Sequence, residues 1–295
     1  MNGNKIIVGC TVYRLMEQFM NQFLDCFLKQ KDKDFTLLLI NEDINDLEEK
    51  TKKYQKYLKI KAFNAKRGSL MLDNKAEIIK KAIELGADHL IFADSDDLLD
   101  ENRVAEYRRH LKENDFVYND LILVNEMEKK APACPFFGAE LPAELNDVRQ
   151  ILDGNFCGFS NSGLNLMRID FSKISWDYGS VIAFDWWLFT QLLLSGYKGR
   201  RAEGTVTFYR VYKDNIAGEM IPLDDKKLGR IFEVKKAHYA FWNDKSPALF
   251  REKYDELLGL ERRLNGQVER NRFIDQINKK YVNQNVLWWD VFRLN

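Results

Sequence analysis

Residues 86–100 read GADHLIFADSDDLLD, and this stretch decides how the rest of the chain is interpreted. It begins with a short apolar run, residues 89–93, that has the length and composition of a buried β-strand. The run ends in DSDD at 94–97, where three of four residues are acidic. Carboxylates crowded at a strand end repel one another unless a cation joins them, and Mg²⁺ or Mn²⁺ prefers such oxygen ligands. The stretch therefore predicts a metal site that also receives substrate phosphates.

The same acids also suit simpler roles. Asp is a favoured N-cap residue, so we expect Asp100 to cap the helix predicted from Glu101, and for Asp97 capping and ligand binding are both open. Capping alone does not explain Asp94 and Asp96, which stand at alternate positions just beyond the strand. An EF-hand is excluded, because the sixth position counted from Asp94 is not glycine.

The composition is that of a globular protein, with 295 residues of which 45% are hydrophobic and 31% charged. The charges of the 45 basic and 45 acidic residues cancel, so the composition does not indicate a nucleic-acid partner. Scattered cysteines and the lack of an apolar leader predict a cytoplasmic protein. The longest apolar tract, 186–194, is too short for a transmembrane segment. We expect Trp288 and Trp289 to pack onto the body of the protein or onto a partner subunit. Peripheral contact with a membrane stays open.

Strands and helices alternate through the first part of the chain. Strands are predicted at 5–9, 35–40, 59–63 and 89–93, and helices at 16–30, 46–58, 74–85 and 101–114. This alternation predicts an α/β fold with a mostly parallel sheet flanked by helices on both faces. From about residue 222 charged amphipathic helices follow, so we expect a main domain at 1–221 and a C-terminal helical extension at 222–295.

Over roughly residues 5–220 the chain resembles the family 2 glycosyltransferases of the GT-A fold. The motifs that carry the resemblance are TVYR at 11–14, acids at 42–43, Asn74 ahead of the acidic strand, DSDD at 94–97, FDWWLFTQLLLSGYKG at 184–199 and YRVY at 209–212. The resemblance implies a Rossmann-like GT-A domain and an inverting, metal-dependent, hexosyltransferase-like enzyme. It would use Mn²⁺ or Mg²⁺ and move a sugar from a nucleotide-diphospho-sugar, preferably a UDP-sugar, to a hydroxyl in polysaccharide or glycoconjugate synthesis.

The resemblance also implies roles for individual residues. Asp96 would be the main metal ligand, Asp94 would contact the ribose or bind the metal through water, and Asp185 would be the catalytic base. The donor would be bound by Thr11, Tyr13, Arg14, Glu42, Asp43, Asn74, Asp94 and Arg210. Within this set Glu42 or Asp43 would read the N–H edge of uracil or, as the second choice, guanine.

Two departures from the family pattern stand out. Phe184 precedes Asp185 where the family often has Glu, and Tyr212 stands where it often has His, which puts a third protein ligand to the metal in doubt. Asp185 also suits a plain helix cap, and Trp186 and Trp187 suit the core.

Three functions stay open. Besides the glycosyltransferase, with a nucleotide-sugar donor and a saccharide or glycolipid acceptor, they are a haloacid-dehalogenase-type phosphatase and a non-catalytic nucleotide-sugar-binding module. The phosphatase also places DxD after an apolar strand, but it needs a later lysine and acid pair that the sequence does not show. The sequence leaves the oligomeric state open, a homo-oligomer included.

Overall fold

The computed structural model describes residues 4–125, 134–212, 222–282 and 286, so Trp288 and Trp289 lie outside the described residues. The strands are β1 (Ile6–Val12), β2 (Phe35–Asn41), β3 (Lys59–Asn64), β4 (His89–Phe92), β5 (Leu98–Leu99), β6 (Phe116–Asn125), β7 (Glu144–Leu145), β8 (Ser162–Asn165) and β9 (Gly199–Val211). The α-helices are α1 (Met20–Lys29), α2 (Leu47–Lys52), α3 (Met71–Glu84), α4 (Arg103–Leu111), α5 (Phe184–Leu194), α6 (Asp225–Lys245), α7 (Pro247–Arg263) and α8 (Gln267–Lys280). Short 3₁₀-helices cover Arg14–Phe19, Gly138–Glu140 and Val148–Ile151.

Within the described residues, nine strands form one sheet in the order β3-β2-β1-β4-β8-β6-β9-β5, with β7 paired to β9. The first four strands in this order are parallel. β8 is antiparallel to β4 and β6, and β5 and β7 are antiparallel to β9. The predicted α/β fold class is confirmed. Parallel neighbours need long crossover connections, and α1, α2 and α3 lie in the connections between β1 and β4. The sheet becomes mixed beyond β4.

Apolar residues on the central strands form the core. β1 is buried along its whole length and so is β4, as expected for parallel strands covered on both faces. Val8 and Ile91 belong to one buried apolar cluster together with Phe23 and Phe27 of α1. This packing explains why the apolar spacing predicted at 16–30 produces a helix on the sheet.

Gly9 allows α3 to pack closely on β1. A Cβ atom added at Gly9 would lie 2.3 Å from Cγ2 of Ile78 and 3.1 Å from Cδ1 of Leu90. Ile78 is buried in α3, and its β-branched side chain has few alternative rotamers in a helix. Gly9 therefore sets the distance between β1 and α3, the helix that carries Asn74.

Helices α1, α2 and α3 differ in extent from the sequence predictions, and α4 is shorter than the predicted 101–114 at both ends. α3 begins at Met71 rather than at 74, because the Asp73 carboxylate accepts the Leu70 backbone N–H at 2.8 Å and closes the first turn. The segment predicted as one helix from residue 16 begins as a 3₁₀-helix before α1. α2 ends at Lys52 because the chain tightens into an i→i+3 turn, in which the Tyr54 N–H donates a hydrogen bond to the Thr51 carbonyl at 2.9 Å.

The chain divides into two compact units. The first comprises Met1–Val148, Phe156–Ile174 and Gln191–Arg210, and the second comprises Arg149–Asn155, Ser175–Thr190 and Val211–Asn295. In the second unit α6 packs against α7 and α8, and Trp242 stacks on Phe250 with ring centroids 6.0 Å apart. No helix among the described residues is both long and apolar enough to cross a membrane. The domain boundary between 221 and 222 stays a prediction.

Asp97 is buried in the first unit and anchors the turn that follows β4. Its Oδ1 accepts the Arg210 backbone N–H at 2.7 Å, and its Oδ2 accepts the hydroxyl of Ser160. The Ser160 carbonyl accepts Nη1 of Arg103 at 3.2 Å and the Thr207 hydroxyl at 3.1 Å. These bonds connect the turn to β9, to α4 and to the loop that leads into β8.

We expect Gly9→Ala to lower the free energy of unfolding by about 1–3 kcal/mol, because overpacking a core costs energy on this scale. Urea denaturation followed by circular dichroism measures the change. Gly259→Ala is the control, since Gly259 lies in α7 and an added Cβ meets no atom within 4 Å. It should be neutral or stabilise by up to about 1 kcal/mol. An unchanged unfolding midpoint for Gly9→Ala would contradict the close packing of α3.

Two variants test the buried anchor. Asp97→Ala leaves the Arg210 N–H and the Ser160 hydroxyl without their acceptor, and this should lower the free energy of unfolding by about 1–3 kcal/mol. Asp97→Asn keeps an acceptor for the Arg210 N–H and should cost less. Equal losses for the two variants would show that the hydrogen bonds of Asp97 do not hold the turn.

The difference in stability between the wild type and Asp97→Asn should depend on pH. Burial raises the pKa of Asp97 well above its usual range, and the charges of Asp96 and Asp94 raise it further. The folded protein then binds this proton more tightly than the unfolded chain, so the contribution of Asp97 to stability falls as pH rises above about 4. Asp97→Asn lacks this loss, and its stability relative to the wild type should improve between pH 4 and pH 7. A constant difference would contradict the raised pKa.

Candidate active site

The parallel strands bring several loops to one edge of the sheet. β1 pairs with β2 so that Val12 lies opposite Asn41, and it pairs with β4 on its other side. The Ala93 N–H donates to the Gly9 carbonyl at 3.0 Å and continues this pairing beyond β4. β1, β2 and β4 therefore end side by side, at the edge where α/β sheets bind ligands.

The acidic turn, residues 94–97, leaves the sheet at this edge. Asp94 and Asp96 are partly exposed, whereas Asp97 is 1% exposed and bonded as described above. Helix capping by Asp97 is therefore wrong. Asn102 occupies the N-cap position of α4 and makes no side-chain cap bond. The Asp100 carboxylate accepts the Asn102 N–H at 2.9 Å in the turn that leads into the helix, which is the kind of bond that a capping side chain makes.

Lys75 and Cys10 lie next to the acidic turn. The Lys75 Nζ is 3.9 Å from Asp94 Oδ1 and 4.5 Å from the ring centroid of Phe159. Burial raises the pKa of the Cys10 thiol well above its usual range, and the charges of Asp94 and Asp96 raise it further. The Cys10 side chain is fully buried, so we interpret it as a packing residue rather than a nucleophile.

Glu42, Asn74 and Ser69 form a hydrogen-bonded chain beside the end of β2. The Asn74 side chain is 3% exposed, and its Nδ2 donates to Glu42 Oε1 at 2.8 Å. Its Oδ1 accepts the Ser69 hydroxyl at 2.7 Å. Asn74 therefore orients a carboxylate that is open to solvent. The contribution of Ser69 was missed, because a serine in a basic loop carries no signal of its own.

Asp43 ties the loop after β1 to the loop after β2. Its Oδ1 accepts the Arg14 backbone N–H at 2.6 Å, and its carbonyl accepts Arg14 Nη2 at 3.3 Å. Tyr13 lies at the N-cap position of the following 3₁₀-helix and is partly exposed. Thr11 is buried, and its hydroxyl has no hydrogen-bond partner within the described part of the chain. Buried hydroxyls rarely lack a partner, so this hydroxyl is available to a ligand, and the contact of Thr11 with the donor stays a prediction.

Arg210 supports the acidic turn from β9. It is fully buried, and its Nε donates to the Asp96 carbonyl at 2.7 Å and its Nη2 to Gln22 Oε1 at 2.9 Å. The guanidinium also lies 4.3 Å from the ring centroid of Phe19. Arg210 thus fixes the backbone of Asp96, and its contact with the donor stays a prediction.

The acidic turn supplies two carboxylates rather than a complete set of metal ligands. Across the described residues, no three Asp, Glu, His or Cys side chains converge as a metal site. Asp94 and Asp96 nevertheless match, in type and number, the protein ligands that Mg²⁺ takes when substrate phosphates complete its shell. The residues therefore fit a divalent cation that binds together with a diphosphate, and not an ion held by protein alone.

Asp185 lies in the first turn of α5 in the second unit. It is partly exposed, and its Oδ1 accepts the Trp186 N–H at 2.9 Å. Trp186 and Trp187 are fully buried, as predicted for core residues. Trp186 donates to the Ile151 carbonyl at 2.8 Å and stacks on His238 with ring centroids 3.7 Å apart. Asp185 is thus held on a rigid helix, and its role as a base stays a prediction.

The sequence matches no protein-family model and no curated protein. Solved structures share its fold. S. aureus TarS in complex with UDP-GlcNAc aligns with a TM-score of 0.52 at 14% identity, over 80% of this chain and 73% of that chain. GalNAc-T7 with UDP, GalNAc and Mn²⁺ aligns with a TM-score of 0.61 at 11% identity, over 94% of this chain and 55% of that chain.

A third similar structure is the mannosyltransferase PcManGT from Pyrobaculum calidifontis in complex with GDP-Man and Mn²⁺. It aligns with a TM-score of 0.52 at 12% identity, over 80% of this chain and 63% of that chain. At these identities the likeness establishes the fold, and the chain has a GT-A-like glycosyltransferase fold.

Proposed function

We propose that the chain is a metal-dependent glycosyltransferase that moves a sugar from a nucleotide-diphospho-sugar to an acceptor hydroxyl with inversion. One observation carries the proposal: Asp94 and Asp96 stand partly exposed at the edge where the parallel strands end, beside the Glu42–Asn74 pair. The similar structures hold UDP-GlcNAc, UDP with Mn²⁺, or GDP-Man with Mn²⁺, which supports this donor class.

The donor that these residues favour is a UDP-sugar. Oδ1 of Asp43 already accepts the Arg14 N–H, whereas Glu42 is exposed and its carboxylate is oriented by Asn74. We therefore assign recognition of the base to Glu42. A fixed carboxylate accepts the ring N–H of uracil and rejects a base without a facing donor, because it would be left unpaired. Guanine, which also has a ring N–H, is the second choice.

The leaving diphosphate and the acceptor hydroxyl make separate chemical demands. A divalent cation bound by Asp96 and Asp94 would neutralise the charge that develops on the leaving group. The attacking hydroxyl must lose its proton, and Asp185 is the carboxylate proposed to take it. One displacement with inversion needs this single base, unlike glycoside hydrolysis with its two carboxylates. The acceptor class we propose is a saccharide or glycolipid.

The two alternatives differ in their products. A phosphatase would release inorganic phosphate from a sugar phosphate, and the GT-A-like fold argues against it. A non-catalytic module would bind the nucleotide-sugar and leave it intact with every acceptor, so turnover of the donor separates it from an enzyme.

Donor binding should depend on a divalent ion held chiefly by Asp96. Calorimetry with UDP, GDP and CDP, with and without Mn²⁺, should show tightest binding for UDP with Mn²⁺. Asp96→Ala should weaken that binding at least about tenfold, a loss of about 1.4 kcal/mol. Glu101→Ala, which removes an exposed acid paired with Lys31, is the matched control and should bind normally. If EDTA and Asp96→Ala both leave UDP affinity unchanged, the metal site is wrong.

Asp185→Asn should bind UDP and Mn²⁺ with wild-type affinity and lose sugar transfer by roughly two orders of magnitude, the usual scale for a lost general base. The amide keeps the hydrogen bond to the Trp186 N–H but cannot accept the proton. Release of UDP from the donor, with an acceptor that the wild type glycosylates, measures the rate. Asp177→Asn is the control, since Asp177 is an exposed acid of the same unit. Transfer by Asp185→Asn at a near wild-type rate would make Asp185 a helix-start residue only.

A further inference from the structure

Lys75 places a positive charge beside one of the two candidate metal ligands. Its Nζ lies 3.9 Å from Asp94 Oδ1, and the two side chains are 20% and 33% exposed. The same Nζ lies 4.5 Å from the ring centroid of Phe159, which packs on Phe92 with centroids 4.2 Å apart. Both rings are buried, so the ammonium is held between a fixed aromatic face and the acidic turn.

A divalent cation on Asp94 would compete with this ammonium group. Like charges a few ångströms apart in a partly buried site repel strongly, because little water lies between them to screen the interaction. A diphosphate relieves the conflict, since its anionic oxygens accept hydrogen bonds from an ammonium and also bind a hard cation. Metal and diphosphate together are therefore compatible with Lys75, whereas Lys75 disfavours the binding of metal alone.

We propose that Lys75 couples the binding of the metal to the binding of the donor diphosphate. In the absence of ligand it pairs with Asp94 and weakens metal binding, and with donor and metal bound it contacts the diphosphate. This inference rests on the proposed function and assigns a further diphosphate-binding residue to the same site. It also explains why two carboxylates suffice, since the complete metal shell forms only with the nucleotide.

Calorimetry of Lys75→Met measures the coupling directly, because methionine is nearly as long as lysine and can still pack against Phe159 but removes the charge. Mn²⁺ alone should bind about fivefold more tightly than to the wild type, the scale of a partly exposed ion pair. UDP in the presence of Mn²⁺ should bind at least about tenfold more weakly, the loss expected for a charged hydrogen bond to phosphate. The factor by which Mn²⁺ tightens UDP binding should fall, and by linkage so should the effect of UDP on Mn²⁺.

Three further variants make the result specific. Lys80→Met removes an exposed lysine from the same helix and should leave every affinity unchanged. Lys75→Arg keeps the charge and should retain most of the coupling. In an Asp94→Asn background, Lys75→Met should tighten the binding of Mn²⁺ alone by a smaller factor, because the carboxylate for which Lys75 and the metal compete is neutral.

The outcomes separate the two proposals. Unchanged coupling in Lys75→Met, with Mn²⁺-dependent UDP binding intact, would overturn the role of Lys75 and leave the proposed function standing. A change in stability alone, without a change in coupling, would give Lys75 a structural role only and would also overturn it. Absence of Mn²⁺-dependent UDP binding in the wild type would overturn the proposed function and this inference with it.

Discussion

The parallel pairing of β1 with β2 and β4 is the constraint on which the candidate site depends. It aligns the strand ends, so the loops that follow them leave the sheet at one edge. A slip of one residue in the register would exchange the two faces of a strand and mismatch its side chains with the layers packed on both sides of the sheet. Gly9 completes the arrangement, because it lets α3 pack on β1. Asn74 then reaches Glu42, and Lys75 reaches Asp94.

The three acids of the turn have different roles: one stabilises the turn, and two are candidate metal ligands. Asp97 is buried and bonded to Ser160 and to the backbone of Arg210, so it holds the turn in place. Asp94 and Asp96 stay partly exposed on a backbone that Arg210 also holds from β9. A fixed backbone keeps the candidate ligand groups in position before the ligand arrives, which lowers the entropic cost of binding.

Local signals predicted the parts of the structure that depend on local sequence. The apolar run before Asp94 and the strand–helix alternation were enough for the α/β fold and the acidic turn. Contacts between distant positions leave no such signal: Asp97 bonds to Ser160 across 63 positions and to Arg210 across 113. No sequence motif around Lys75 indicates its contact with Asp94. The two-residue strands β5 and β7 are too short for any periodicity.

Metal-bridged binding of a nucleoside diphosphate is tested most directly by the anomalous scattering of manganese in crystals grown with UDP and Mn²⁺. The account predicts a manganese peak within bonding distance of the Asp96 carboxylate and next to the diphosphate. Lys75 should then face the diphosphate. UDP bound at the strand ends with no manganese near Asp96 or Asp94, or bound away from this edge of the sheet, would contradict the account.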